Sequence, residues 1–282
     1  MMTISDLEKK AYAIRQDIIT ALVAAKSGHS AGPLGMADIF TALYFRVLNV
    51  TPETRNDKNR DRVVLSNAHI CPVLYATLAQ RGFAKRDEFL KTLRKLGSPF
   101  QGHSNNHFDI GIETCGGPLG QGLSQAVGMA LAARMDDAKW RTYCLMSDGE
   151  LDEGQSWEAV MLAGKERLRN LTAIVDRNNI QIDGYTENIM PLEPLADKWR
   201  AFNWHVIEID GHNIGQFIDA VGEAKAVYEK PTVILAHTIP GKGVSFMENR
   251  FEWHGKPPSP EEAKQAMLEL RTLQGQITSE HQ

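Results

Sequence analysis

Two apolar runs, at 143–146 and 171–175, constrain this chain more than any other feature, because each ends in hard oxygen donors. Asp148 and Gly149 follow the first run; Asn178 and Asn179 follow the second. Residues 155–169 between them read as a helix. The stretch 147–184 is therefore the core of a strand–helix–strand unit, which pairs its strands in parallel. Parallel strands leave the sheet at the same edge, so Asp148 and Asn178 are expected to converge on one ion.

The rest of the chain repeats the alternation. Strands are expected at 62–66, 204–210 and 232–237. Helices are expected at 5–26 with Ser5 as its cap, then, after a Gly/Pro loop at 27–33, at 36–48, 72–81, 86–96, from the glycine-rich run 116–122 to about 135, and at 214–229. Ser259, Pro260 and Glu262 open a last helix as a capping box with proline at its first position. This pattern predicts an α/β fold, a mostly parallel sheet with helices on both faces. With no repeat, low-complexity segment or Pro/Ser linker, 1–282 is expected to form a single domain with a C-terminal helical tail from about 259. The irregular stretch 97–117, rich in Gly, Ser, Asn and His, is too long for a mere connection and reads as a functional loop.

Charge and cysteine usage narrow the function. Lys and Arg total 31 against 35 Asp and Glu, a net charge of -4 with no basic cluster, which argues against nucleic acid. Cys71, Cys115 and Cys144 are scattered without CxxC spacing, which points away from a thiolate metal site and toward a reducing compartment. No apolar signal core or membrane-length run is present, so the expected location is cytoplasmic.

An ion held by Asp148 and Asn178 calls for oxygen chemistry. Mg2+ takes six oxygens in near-octahedral geometry and is commonly shared with phosphates. One carboxylate, one amide oxygen and one backbone carbonyl leave positions for a diphosphate and water. The helix beginning near Glu153 would aim N–H groups at the same phosphates, and Gly149 lets the backbone approach. Here the chain resembles the thiamine diphosphate enzymes, and within them the transketolases, over nearly its whole length. The resemblance is carried by KSGH at 26–29, GMAD at 35–38, DRVVLSNAH at 61–69 and GH at 102–103. It continues through GPLGQG at 117–122, DG…EG at 148–154, IDG at 182–184 and WHVIEIDGHN at 204–213. GPLGQG is spaced GxxGxG, unlike a dinucleotide fingerprint. Ser147 stands where the cofactor signature usually has glycine.

The resemblance implies thiamine diphosphate as cofactor, with Mg2+ (Ca2+ or Mn2+ as substitutes) held by Asp148, Asn178 and the backbone carbonyl of Ile180. It implies cofactor contacts from His69, Gly117, Leu119, Gly149 and Asn178, with His254 in the place of a further family histidine. His29, His69 and His103 resemble the histidines around the reacting carbon and the donor ketose. Glu153 resembles an interface glutamate linking paired active sites, although a helix N-terminus favours the same charge. The implied reaction transfers a two-carbon ketol unit from a ketose phosphate to an aldose. Specialised forms act on apiose-derived or sulfonated sugars, and deoxyxylulose phosphate synthase is a related alternative. Transketolases continue into further domains that complete the site. The chain therefore resembles the N-terminal subunit of a split transketolase, whose complementary C-terminal subunit would supply the pyrimidine-binding half of an α2β2 heterotetramer.

Overall fold

In the computed structural model residues 2–272 are described. The described residues form seven strands: β1 (Arg62–Leu65), β2 (Thr142–Ser147), β3 (Leu171–Arg177), β4 (Ile180–Gln181), β5 (Gly184–Tyr185), β6 (His205–Asp210) and β7 (Thr232–His237). Five of them build one all-parallel sheet in the order β1-β2-β3-β7-β6, while β4 and β5 make a small antiparallel ribbon beside it.

Alternation along the strands decides the layering. Tyr143 and Leu145 of β2, Ile174 of β3 and Ile234 of β7 enter one apolar cluster. Their neighbours Cys144, Met146, Ala173, Val175, Val233 and Leu235 enter a second. Side chains on opposite faces of a pleat cannot share a layer, so the sheet is covered on both sides. One face carries α1 (Ile4–Ala25), α2 (Ala31–Gly35), α3 (Ala37–Ala42), α4 (Cys71–Arg81) and α5 (Arg86–Thr92). The other carries α6 (Gln121–Met135) and α7 (Gly154–Glu166). After β5 come the single turn α8 (Thr186–Ile189) and α9 (Leu195–Ala201), which joins the second layer. The first layer is completed by α10 (Ile214–Ala226) and α11 (Pro260–Thr272), the latter packed on α1. No helix among the described residues is long and apolar enough to cross a membrane.

Several boundaries differ from the sequence expectation for identifiable reasons. The cap of α1 is Thr3, which closes a capping box with Asp6, rather than Ser5. The segment expected as a Gly/Pro loop is already helical from Ala31, as α2, and the helix expected over 36–48 divides into α3 and a wide turn at Leu43–Val47. Packing explains the glycines there: a Cβ on Gly32 would lie 2.8 Å from Ile70 Cγ2, and one on Gly35 3.0 Å from the Ile239 carbonyl oxygen. Helix α5 stops at Thr92, and Arg94 turns left-handed (φ 61°) to donate its amide to the Phe100 carbonyl. At the other end Ser259 and Glu262 form the expected box, Ser259 N donating to Glu262 at 2.8 Å and Glu262 N to Ser259 Oγ at 3.2 Å. The tail beyond 272 lies outside the described residues.

Candidate active site

The register of β2 on β3 sets Ser147 opposite Asp176, so the two strand exits do lie side by side. Asp148 and Asn178 each leave their strand into the same corner. Asp148 is fully buried. Its Oδ2 accepts from the Asn179 amide at 2.6 Å and from Arg177 Nη1 at 3.1 Å, whereas Oδ1 accepts only from the Gly149 amide, at 2.8 Å. Asn178 is oriented by Asp176, whose Oδ2 accepts from Asn178 Nδ2 at 2.8 Å. Asn178 Oδ1 then accepts from the Ile180 amide at 3.0 Å. Asp148 Oδ1 and Asn178 Oδ1 each keep a free lone pair, and the Ile180 carbonyl lies 4.0 Å from where a Cβ on Gly149 would stand.

That donor set fits a hard divalent cation: one carboxylate, one amide oxygen and one peptide carbonyl, with room left for oxygens of a ligand. Among the described residues no three His, Cys, Asp or Glu side chains converge as a metal cluster. Burial pushes the Asp148 carboxyl up to about 6, against the pull of the Arg177 guanidinium. Burial likewise pushes Asp176 up to about 7, opposed by a hydrogen bond from Thr238. A cation arriving at this corner would favour the ionised form of Asp148.

A second buried carboxylate ties the corner to the glycine-rich loop. Glu150 Oε1 accepts from Ser66 Oγ and, at 2.6 Å, from the Gly120 amide; its Oε2 accepts from the Ser147 amide at 3.2 Å. One side chain thus links β1, the start of α6 and the exit of β2. Gly122 fits beneath it because a Cβ would lie 2.4 Å from that of Ser66.

A cleft of about 420 Å³ opens over these groups. His29, His69, His103, Gly117, Leu119, Gly149, Glu153, Asn178, Ile180 and His254 line it, and Asp148 lies buried beneath. All the residues singled out in the sequence are therefore brought together. The rings of His29, His69 and His254 pack on one another with centroids 5.1–5.4 Å apart. Burial holds all four cleft imidazoles below the ordinary histidine value: His29 at about 4, His69 well below, His103 and His254 lowered. Neighbouring imidazoles add to the effect at His29 and His69, and the Arg94 guanidinium adds to it at His29 and His103. All four are neutral near pH 7, able both to donate and to accept. His29 Nδ1 is buried with no hydrogen-bond partner among the described residues.

Two expectations need qualification. The Gly149 amide is engaged by Asp148 Oδ1, so what Gly149 offers a ligand is a bare backbone rather than a free donor. Glu153 stands at the cap position of α7 without making a side-chain cap, and its exposed carboxylate faces the cleft instead. His212, given no site role from sequence, is structural: it pairs with Asp38 at 2.9 Å and accepts from the Ile239 amide at 2.8 Å. Sequence reasoning missed Glu150, Asp176 and Arg177. Arg177 is a cation inside a buried strand beside an acid, the one signal that marked it, whereas the roles of the two carboxylates exist only once the strands are aligned.

Comparisons with known proteins agree with one another. The family described as "Transketolase, thiamine diphosphate binding domain" matches residues 7–272. The chain is 45% identical over 265 residues to the 6-deoxy-6-sulfo-D-fructose transketolase subunit SqwG of Clostridium sp. (strain MSTE9), covering 94% of this chain and 96% of that one. It is 40% identical over 269 residues to one subunit of the apulose-4-phosphate transketolase of Phocaeicola vulgatus, covering 95% of each. Transketolase of Homo sapiens is 36% identical over 94% of this chain, which spans only 42% of the human protein. The crystal structure of Campylobacter jejuni transketolase superposes with a TM-score of 0.87 at 35% identity, covering 96% of this chain and 43% of that one.

Proposed function

Because this chain belongs to the transketolase family, through its thiamine diphosphate binding domain, we propose that it is the N-terminal subunit of a two-chain transketolase. It would act with a separate C-terminal subunit, in an α2β2 heterotetramer, to pass a two-carbon ketol unit from a ketose to an aldose. The observation that carries this reading is the meeting, in one cleft, of the Asp148–Asn178–Ile180 oxygen corner with four neutral imidazoles. Relatives named as subunits match this chain end to end, while the human transketolase is more than twice as long, and this supports the split. Residues 1–282 would then form a single domain that holds the diphosphate and metal half of the site.

Asp148, Asn178 and the Ile180 carbonyl would hold the divalent ion, most simply Mg2+, with Ca2+ or Mn2+ able to take its place. His69, His254, Gly117, Leu119 and the bare backbone at Gly149 would contact the cofactor. Thiamine diphosphate, when bound, supplies the nucleophilic carbon and the electron sink for the carbon–carbon cleavage. The protein's part is to place protons. His29 and His103, neutral and open to the cleft, can donate to a donor's carbonyl oxygen or accept from its hydroxyls, and Nδ1 of His29 is unspent. Glu153 would face the paired site across the interface between subunits.

We include among the donors ketoses bearing a distal phosphate, and sulfonated or apiose-derived sugars; the names of the two full-length relatives carry 6-deoxy-6-sulfo-D-fructose and apulose-4-phosphate. Asp148→Ala should abolish metal-dependent thiamine diphosphate binding to the complex in calorimetric titration; undiminished binding refutes the site. His103→Ala should leave that binding intact while weakening use of the donor. Assaying ketol transfer from a ketose phosphate against pyruvate decarboxylation separates transketolase from other thiamine diphosphate chemistry.

A further inference from the structure

The cleft histidines that face the donor are carried by separate loops. His29 follows α1 and His103 lies in the long loop after α5. Each is preceded by a glycine, Gly28 and Gly102, and the side chain of Arg94 runs against both. A Cβ on Gly102 would lie 2.8 Å from Arg94 Cζ, 2.9 Å from Nη2 and 3.1 Å from Nη1. Three guanidinium atoms almost equidistant from one point mean that Gly102 packs on the flat face of the group. A Cβ on Gly28 would lie 3.8 Å from both Cδ and Nη1 of the same arginine.

The two glycines have different reasons for lacking a side chain. Gly28 adopts φ 127°, which itself favours glycine. Gly102 has no such backbone, and the nearest atoms a Cβ would meet are all from Arg94. Packing against the guanidinium face therefore accounts for Gly102 by itself. The arginine is fixed from below by its left-handed backbone and by its amide bond to the Phe100 carbonyl, 2.7 Å. The loop under it is pinned by Tyr75, whose hydroxyl donates to the Gln101 carbonyl at 3.0 Å. Among the described residues no carboxylate pairs with this guanidinium, although the residue is exposed. Its charge reaches both imidazoles, helping to keep His29 and His103 neutral.

We propose that Arg94 is a positioning residue of this site, a flat wedge between Gly28 and Gly102 that fixes the spacing of His29 and His103. This rests on the transketolase reading only for what the spacing serves; the wedge itself is a property of this chain. The consequence is specificity for the donor: a ketose bridging the two imidazoles feels their separation, whereas the cofactor held at the Asp148 corner does not.

A double-mutant cycle in the full chain tests the wedge without any activity, using histidine ring 15N resonances as the readout. Arg94→Ala should move the signals of His29 and His103 and leave those of His205 and His237 in place. Gly102→Ala should move the same two signals by pressing on the guanidinium. The double variant should match Arg94→Ala, since the added methyl then has room. Arg94→Lys keeps the charge but has no flat face, so it should resemble Arg94→Ala. Unmoved His29 and His103 signals, additive effects, or full rescue by lysine would each overturn the wedge. In the two-chain complex, Arg94→Ala should raise the donor KM about tenfold while thiamine diphosphate affinity changes less than about twofold. An unchanged donor KM with moved resonances would overturn the link to donor specificity. If the wild-type complex transferred no ketol unit at all, the transketolase reading would fall while the resonance cycle still judged the wedge.

Discussion

His29 shows how much of this site is set by desolvation acting on single residues. Burial lowers its pKa from the ordinary 6.5 to about 4, so between those values the folded protein keeps it neutral while the unfolded chain binds a proton. The stability this contributes is fully present above pH 6.5 and is lost as the pH falls toward 4. Asp148 and Asp176, raised to about 6 and 7, act in the opposite sense over an overlapping window: their folded forms retain protons, so stability falls as the pH rises from about 4 through those values. The informative quantity is therefore a difference. In metal-free buffer the thermal midpoint of His29→Asn should drop less than that of the wild type between pH 6.5 and 4.5, and parallel curves would contradict the burial argument. At this scale the sequence was a good guide to identity, because KSGH, NAH and GH mark their histidines by type and neighbours. It was silent on the protonation of those residues, which depends on what packs around each ring.

At the scale of elements, glycine separates what is structural from what is open. Gly164 in α7 leaves no room: a Cβ would stand 1.9 Å from the Phe202 carbonyl oxygen. Gly128 in α6 meets nothing within 4 Å. Gly164→Ala should destabilise the chain by about 1–3 kcal/mol or more, because helix and following loop must separate. Gly128→Ala should stabilise the isolated chain by about 0.5–1 kcal/mol, through helix propensity alone. Denaturant unfolding measures both, and equal effects would contradict this account. The identities of the five sheet strands and of the longer helices were legible from periodicity, and the strand at 232–237 matched to the residue, but β4, β5, α8 and α9, short elements between 180 and 201, were not. The ends were not. α2 begins inside a segment that reads as loop, and α5 ends early, at Thr92, because packing against Ile70 and Ile239 and the Arg94 amide bond to Phe100 outweigh local preference there.

For the molecule as a whole, α7 carries adjacent apolar residues turned outward, Met161 at 53% and Leu162 at 44% exposure. If the chain works as half of an assembly, this face is one that association should cover. Met161→Glu with Leu162→Glu should leave the isolated chain folded by circular dichroism and weaken co-purification with the C-terminal subunit; undiminished association would place the interface elsewhere. The sequence by itself determined the layered α/β fold and the placing of Asp148 and Asn178 at neighbouring strand exits, because strand period, parallel connection and residue type are local properties that add along the chain. Only the tertiary structure decided that Glu150 would bind Ser66 to Gly120, that Asp176 and Arg177 would orient Asn178 and Asp148, and that Arg94 would lie between Gly28 and Gly102. Those contacts join residues that neither period nor motif relates. They exist because strands aligned in register and loops folded over their exits bring distant side chains within a few ångströms.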